Sequence, residues 1–221
     1  MSTRHREANR TALRTAMIML VFTVAFTALM AWTYKNTEPA IAQSQQQEKM
    51  RLIDEVLPRG SYDNALLDDY ILLAPNTQLG LQRGGTLWRA RKQGEPAAIV
   101  VEASAPDGYS GHIRLAVAVT ADGRVSGVRV IAHAETPGLG DYIEPQKDRH
   151  RDGPWIEQFA GKGFEEVALA RWRVTRDGGD FTYRVGATIS ARAVTEATGR
   201  ALAWVMENRE QLYDAPVGTQ L

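Results

Sequence analysis

Apolar residues recur along this chain in three different patterns, and the changes between them mark its parts. From Thr15 to Tyr34 the sequence is almost continuously apolar, with no charge between Arg14 and Lys35. Roughly 20 residues at about 1.5 Å each cover the ~30 Å hydrocarbon core of a bilayer, so this run predicts a membrane-spanning helix. Residues 36–47 are polar, carry Pro39 and a Gln/Ser cluster, and read as a tether. In Glu48–Leu57 the apolar Met50, Ile53, Val56 and Leu57 fall at helical spacing, and Pro58 stops them. Leu66–Leu73 is apolar without a clear period, and Pro75–Gly85 is rich in turn formers.

From Thr86 the period becomes two. Thr86–Lys92 and Ala97–Ala103 predict strands around a turn at Gly94. In His112–Val119 the residues Ile113, Leu115, Val117 and Val119 alternate with smaller or polar ones, as in a half-buried strand. Asp122-Gly123 predicts a hairpin, and Val125–Ile131 returns from it with Gly127 marking a bulge. Pro154–Phe159 predicts a short helix, and Ala168–Thr175 another strand ended by Asp177-Gly178-Gly179. Over Ser190–Glu207 the period is helical again, with Val194, Ala197, Ala201 and Val205 on one face beside Leu202. Together these predict an α+β fold: an antiparallel sheet with flanking helices, preceded by one transmembrane helix.

Charge orients the first helix. Residues 1–35 hold five Lys/Arg and one acid, against 21 Lys/Arg and 25 Asp/Glu in the rest. The basic flank, with Arg4, Arg6, Arg10 and Arg14, stays inside, and the remainder goes outside. Ala40-Ile41-Ala42 has the small-x-small form of a signal cleavage site, so a cleaved leader is the competing reading. The apolar run is longer than the ~7–15 residues of a signal core, which favours a retained anchor. The mildly acidic exported part has no basic stripe, which argues against nucleic-acid binding. With no cysteine, disulfides, thiolate-held iron–sulfur clusters and thioether-linked haem are excluded. His5, His112, His133 and His150 are scattered and predict surface or structural roles, not a metal site.

Two segments carry candidate chemistry. In Val185-Gly186-Ala187-Thr188-Ile189-Ser190 a permissive glycine and a small alanine precede a helix. Thr188 or Ser190 can cap that helix, and the free amides of a helix start attract phosphate. On the residues alone, an ordinary strand–turn–helix with a Thr or Ser cap is the stronger reading, because such caps are common. In Glu135-Thr136-Pro137-Gly138-Leu139-Gly140 the proline fixes one torsion and the glycines admit close backbone approach to a flat ring. A tight turn after a strand fits this segment as well. No Gly-x-Gly-x-x-Gly opens a helix, no Walker loop is present, and no serine has a His/Asp partner pattern.

The first segment resembles the flavinylation motif of the RnfG family, a subunit of Rnf-type electron-transport complexes. It also resembles that of the related flavin-carrying subunit of sodium-pumping NADH:quinone reductase. Gly186, Ala187 and Thr188 match the motif's Gly-Ala-Thr, while Thr182 stands where the family has Asp and Val185 where it has Ser or Thr. Asp180 lies two residues before the Asp position. Glu102–Gly111, His133–Asp141, Trp155–Gly161 and Asp177–Phe181 also resemble the RnfG family, and the likeness runs over roughly residues 50–208.

The resemblance implies FMN bound covalently through its phosphate to Thr188, installed by a separate magnesium-dependent flavin transferase that uses FAD. Gly186, Ala187, Ser190, Glu135, Thr136, Leu139 and Gly140 would shape the flavin site. Tyr109 and Gly111 are further candidates, while Trp155 and Trp172 fit core packing better. The implied protein is a single-pass inner-membrane redox subunit that works with the other members of an ion-translocating complex, with no catalytic residue of its own. Its implied division is a cytoplasmic 1–14, a span at 15–34, a tether at 35–47, a periplasmic FMN-binding domain at 48–210 and a tail at 211–221. Two alternatives stay open: a tethered adaptor of the same fold without flavin, and a related flavin domain in quinone reduction or regulation.

Overall fold

The computed structural model describes residues 2–149 and 153–221, in two units, Met1–Lys49 and Met50–Leu221. His150 lies outside the described residues. Helix α1 spans Ser2–Val56, and its stretch Ala12–Glu38 is long and apolar enough to cross a membrane. Phe22, Phe26, Leu29, Met30 and Trp32 in that stretch are all exposed, as lipid-facing side chains would be. Residues 36–47, a tether by composition, are helical. That stretch has no glycine and is rich in Gln and Ala, which favour helix.

In the second unit five strands form an antiparallel meander in the order β1-β2-β3-β4-β5. They are β1 (Tyr70–Leu73), β2 (Gly85–Lys92), β3 (Glu95–Gly108), β4 (Gly111–Thr120) and β5 (Val125–Ala132). Gln93 and Gly94, both at positive φ, close the β2–β3 turn. This is the two-residue geometry whose twist suits a hairpin. The bulge expected near Gly127 is present: Ala118 pairs with Gly127 but Val119 pairs with Val125, leaving Ser126 as the extra residue. There the backbone of Val56 lies against Gly127, where a Cβ would come within 2.8 Å of the Val56 carbonyl oxygen.

The alternation in β4 sorts its side chains as expected. Ile113, Leu115, Val117 and Val119 point into the main core, shared with helix α2 (Thr188–Asp214). Ala116 and Ala118 join a second cluster with Trp88, Val100, Ile53, Val56 and Leu57. The end of α1 therefore covers one sheet face and α2 the other. Val194, Ala197, Ala201, Leu202 and Val205 are all buried.

The segment Ala168–Thr175 is not a strand. It forms 3-10 turns at Leu169–Arg171 and Thr175–Asp177. Its period-two pattern is real, since Trp172 and Val174 are buried between exposed Arg171, Arg173 and Thr175. Its hydrogen bonds, however, close locally: Arg171 N–H to Ala168 O at 2.8 Å, and Thr175 N–H to Phe181 O at 2.8 Å. With no neighbouring strand to pair with, the segment coils, leaving a single bridge between Val174 and Phe181.

The domain also continues beyond residue 210. Helix α2 runs to Asp214, and the last residues lie along the edge of β1. Leu72 N–H donates to Thr219 O and Leu221 N–H to Leu72 O, both at 2.9 Å. The final segment thus covers an otherwise unpaired sheet edge.

Candidate functional site

Three pieces of chain meet at the start of α2: the β3–β4 hairpin end, the loop after β5, and the turn before the helix. The loop after β5 is shaped by its own sequence. Thr136-Pro137-Gly138-Leu139 is a tight turn, with Leu139 N–H on Thr136 O at 3.1 Å. Gly138 sits at φ +74 in the third position, where a type II turn needs a glycine. Gly138 N–H also donates to Asp141 Oδ1 at 2.8 Å. Upstream, His133 Nδ1 accepts the Glu135 N–H at 2.9 Å, and its Nε2 lies 2.6 Å from Glu144 Oε1. Both ring nitrogens of His133 are thus engaged within the domain.

Glu135 is 3% exposed, an unusual place for a carboxylate. Its Oε1 accepts the Ser110 N–H at 3.0 Å, and its Oε2 accepts the Ser190 hydroxyl at 2.5 Å. Gly140 makes room for that pair. A Cβ there would stand 2.8 Å from Ser190 Oγ and 2.9 Å from Glu135 Oε2. Gly140→Ala is therefore expected to break this hydrogen bond and destabilise the domain by about 1–3 kcal/mol, the usual range for a buried polar group left unsatisfied. A thermal melt of the purified chain checks it.

The helix start differs from the capping that the sequence suggests. The cap position is Ala187, no side chain caps the helix, and Thr188 is its first residue. Ser190 is turned to Glu135 instead. The first-turn amides of α2 are therefore left without a side-chain acceptor among the described residues. The Thr188 hydroxyl makes no hydrogen bond to a protein group among the described residues, although Thr188 is 8% exposed. Gly186, at φ +94, brings the chain into the helix beside Leu139, whose Cδ1 is 3.4 Å from where a Cβ would stand. Tyr142 steadies this turn: its hydroxyl donates to Ala187 O and accepts from Arg184 N–H, both at 3.3 Å. Burial pushes the Tyr142 phenol up to about 12, so it keeps its proton at physiological pH.

All eight residues singled out from sequence, Thr188, Gly186, Ala187, Ser190, Glu135, Thr136, Leu139 and Gly140, line one cavity of about 120 Å³. Tyr109 lines it too, and so does Ile189, which sequence reasoning passed over. Its signal was available: an aliphatic residue in the first turn next to Thr188. Gly111 instead pairs with Gly108 in the hairpin. Trp155 and Trp172 belong to the core, in an aromatic cluster with Tyr142, Phe159 and Phe181. Among the described residues no group of His, Asp and Glu has the arrangement of a metal site.

The two departures from the flavinylation motif also have positions. Thr182 gives both its N–H and its hydroxyl to Gln158 Oε1, at 2.8 and 3.0 Å. Val185 is 92% exposed. Asp180 is taken up by Arg171, whose Nε reaches both carboxylate oxygens at 2.8 Å. That hydrogen bonding holds the Asp180 carboxyl below the usual carboxylate range.

Comparison with known proteins agrees with this geometry. Residues 108–203, which include every cavity-lining residue, match the FMN-binding domain family, and residues 1–56 match the RnfG N-terminal region. The RnfG subunit of the ion-translocating oxidoreductase complex of Pseudomonas aeruginosa (strain UCBPP-PA14) is 44% identical over 203 residues, 92% of each chain. Its namesake from Pseudoalteromonas atlantica is 39% identical over 91% of this chain and 92% of its own. That from Aliivibrio fischeri (strain MJ11) is 37% identical over 94% and 96%. The chain belongs to the RnfG family of ion-translocating oxidoreductase complexes, and its FMN-binding domain contains the cavity at the start of α2.

Proposed function

We propose that this chain is the flavoprotein subunit of a membrane complex that couples electron transfer to ion translocation, and that it carries FMN esterified to Thr188. The observation that carries the reading is the state of Thr188. It is the first residue of a 27-residue helix with no side-chain cap, it lines the cavity, and its hydroxyl is not committed to another protein group among the described residues. A helix start of this kind favours an anion through its free amides and its dipole. The residues therefore fit a phosphate-linked cofactor.

When bound, the flavin supplies the electron chemistry; the chain supplies attachment, orientation and electrostatics. Thr188 provides the ester oxygen. The first-turn amides of α2 would hold its phosphate. Glu135 holds Ser190 away from those amides, so the serine does not cap them. Leu139 and Gly186 stand against each other in the cavity wall.

The apolar stretch of α1 is the anchor, with 1–14 inside, 15–34 across the inner membrane, and 35–47 leading to a domain outside. The arginines before the span support that orientation. The partners are the other members of the complex and a flavin transferase that matures the chain. Mass spectrometry of the peptide bearing Thr188, from the complex isolated from its own cell, is the direct test. The expected mass is that of the peptide plus FMN less water. A wholly unmodified peptide would leave a tethered adaptor of the same fold.

A further inference from the structure

A second cavity, of about 570 Å³, shares no residue with the one at Thr188. Alternation in β4 builds one of its walls. Ile113 and Leu115 turn into the main core, so His112 and Arg114 turn to the other side and are exposed. Ser104 stands opposite Arg114 in the β3 register. The other wall is the loop from Gly80 to Gly84. Both end glycines are at positive φ and lie against neighbouring strands. A Cβ would stand 2.0 Å from Ser104 O at Gly80 and 2.2 Å from Leu73 O at Gly84. Leu81 is buried and exchanges two backbone hydrogen bonds with Asn76, both at 2.8 Å. Gln82 and Arg83 are exposed between these anchor points.

We propose that this cavity binds a phosphodiester, held by Arg83 and Arg114 with help from His112 and Ser104. The donors converge there without acceptors of their own. Arg83, His112 and the Ser104 hydroxyl make no hydrogen bond or ion pair with a protein group among the described residues. The N–H groups of Gln82, Arg83 and Gly84 likewise have no backbone acceptor among them. No carboxylate lines the cavity. The acid beside it is the half-buried Glu102, whose Oε2 already accepts the Thr86 N–H at 3.1 Å. Its Oε1 is 3.5 Å from Arg114 Nη2, a loose pairing that leaves Arg114 half exposed.

Charge and size then select the ligand. Two arginines against one glutamate leave one positive charge. That matches the single negative charge of a phosphodiester better than the charge of about −1.5 to −2 on a phosphomonoester at pH 7. The guanidinium fork suits a pair of phosphate oxygens, and free loop amides add donors. The volume lies within the range of about 300–1,000 Å³ typical of small-molecule sites, so there is room for a substituent on the phosphate. Two sources supply that chemistry. One is a phospholipid headgroup, because the chain carries an apolar helix long enough to hold it at a membrane. The other is a soluble glycerophosphodiester.

The test titrates the full chain, in an uncharged detergent at low salt, by calorimetry. The probes are glycerophosphoglycerol and phosphatidylglycerol, with diacylglycerol as the control for acyl chains. Arg83→Gln, at an exposed site without a protein partner, is expected to weaken binding about tenfold, the worth of one charge-assisted hydrogen bond. Arg83→Lys should keep most of the affinity. Arg114→Gln should weaken binding similarly, and Glu102→Gln, which removes the opposing charge, should tighten it. Arg176→Gln, an exposed arginine outside the cavity, should change nothing. Glycerophosphoglycerol binding that falls in Arg83→Gln supports the site and assigns a soluble source. The same fall seen with phosphatidylglycerol alone supports it and assigns the lipid. Binding of neither probe overturns the inference. So does an affinity that ignores Arg83→Gln, or one that falls equally in Arg176→Gln. No flavin is needed for any of these measurements, so their outcome is independent of attachment at Thr188.

Discussion

Thr188→Val is expected to abolish covalent flavin while leaving the fold intact. Valine keeps the branched shape of threonine and removes only the oxygen that would carry the ester. Thr188 donates to no protein group among the described residues, so its loss strands no buried partner, and the stability change should stay within about 0.5 kcal/mol. In-gel fluorescence after denaturing electrophoresis reads the result: a bright wild-type band and a dark variant band at equal protein. Thr188→Ser, which keeps a hydroxyl, should retain some label. A bright Thr188→Val band would move the attachment to another residue. The same assay tests the departure at position 182. Thr182→Asp should label faster, provided Gln158 turns its amide; Gln158 Nε2 is now buried without a partner among the described residues. An unchanged rate would make the aspartate dispensable in this chain.

The parts of the fold legible in the sequence are those whose signal is local. Ile113, Leu115, Val117 and Val119 declare both the strand and its buried face, and Asp122-Gly123 declares the turn after it. The site was legible for a different reason. Glu135–Gly140 and Gly186–Thr188 each keep a family pattern, and the fold brings both to one cavity. What could not be read depends on partners far along the chain. Trp172 and Val174 alternate like a strand, but alternation says which side chains turn inward, not whether another strand lies alongside. Ser190 reads as a cap because serine often is one; its partner, Glu135, lies 55 positions earlier. The last residues look like a tail until the edge of β1 is seen to need them.

Arg89 is the clearest of these hidden cases, and its removal should have the largest effect on stability. Strand β2 places it 2% exposed, where a cation is costly unless fully engaged. It is engaged. Its Nε donates to Asp69 Oδ1 at 2.7 Å, and its Nη1 donates to the carbonyls of Leu212, Tyr213 and Ala215 at 3.0, 3.2 and 2.5 Å. Those are the open carbonyls at the end of α2, the negative end of the helix dipole. Arg91 reinforces the arrangement, with Nε on Asp69 Oδ2 at 3.1 Å and Nη2 on Tyr213 O at 2.9 Å. Arg89→Met keeps the volume but leaves the half-buried Asp69 carboxylate with Arg91 alone and the Leu212 and Ala215 carbonyls without their donor. Breaking a buried pair in this way costs about 3–5 kcal/mol. For a domain of this size, that lowers the melting temperature by roughly 10 °C. Below that temperature Thr188 should still accept flavin, because it lies at the other end of α2, about 40 Å away along a helix of 27 residues. Thermal melts followed by near-ultraviolet circular dichroism, with in-gel fluorescence on the same samples, separate the two effects. A melting temperature within about 2 °C of wild type would mean that Arg91 alone suffices to cap the helix. A melt that falls while the label persists would assign the two ends of α2 separate tasks: stability at the arginine, cofactor attachment at the threonine.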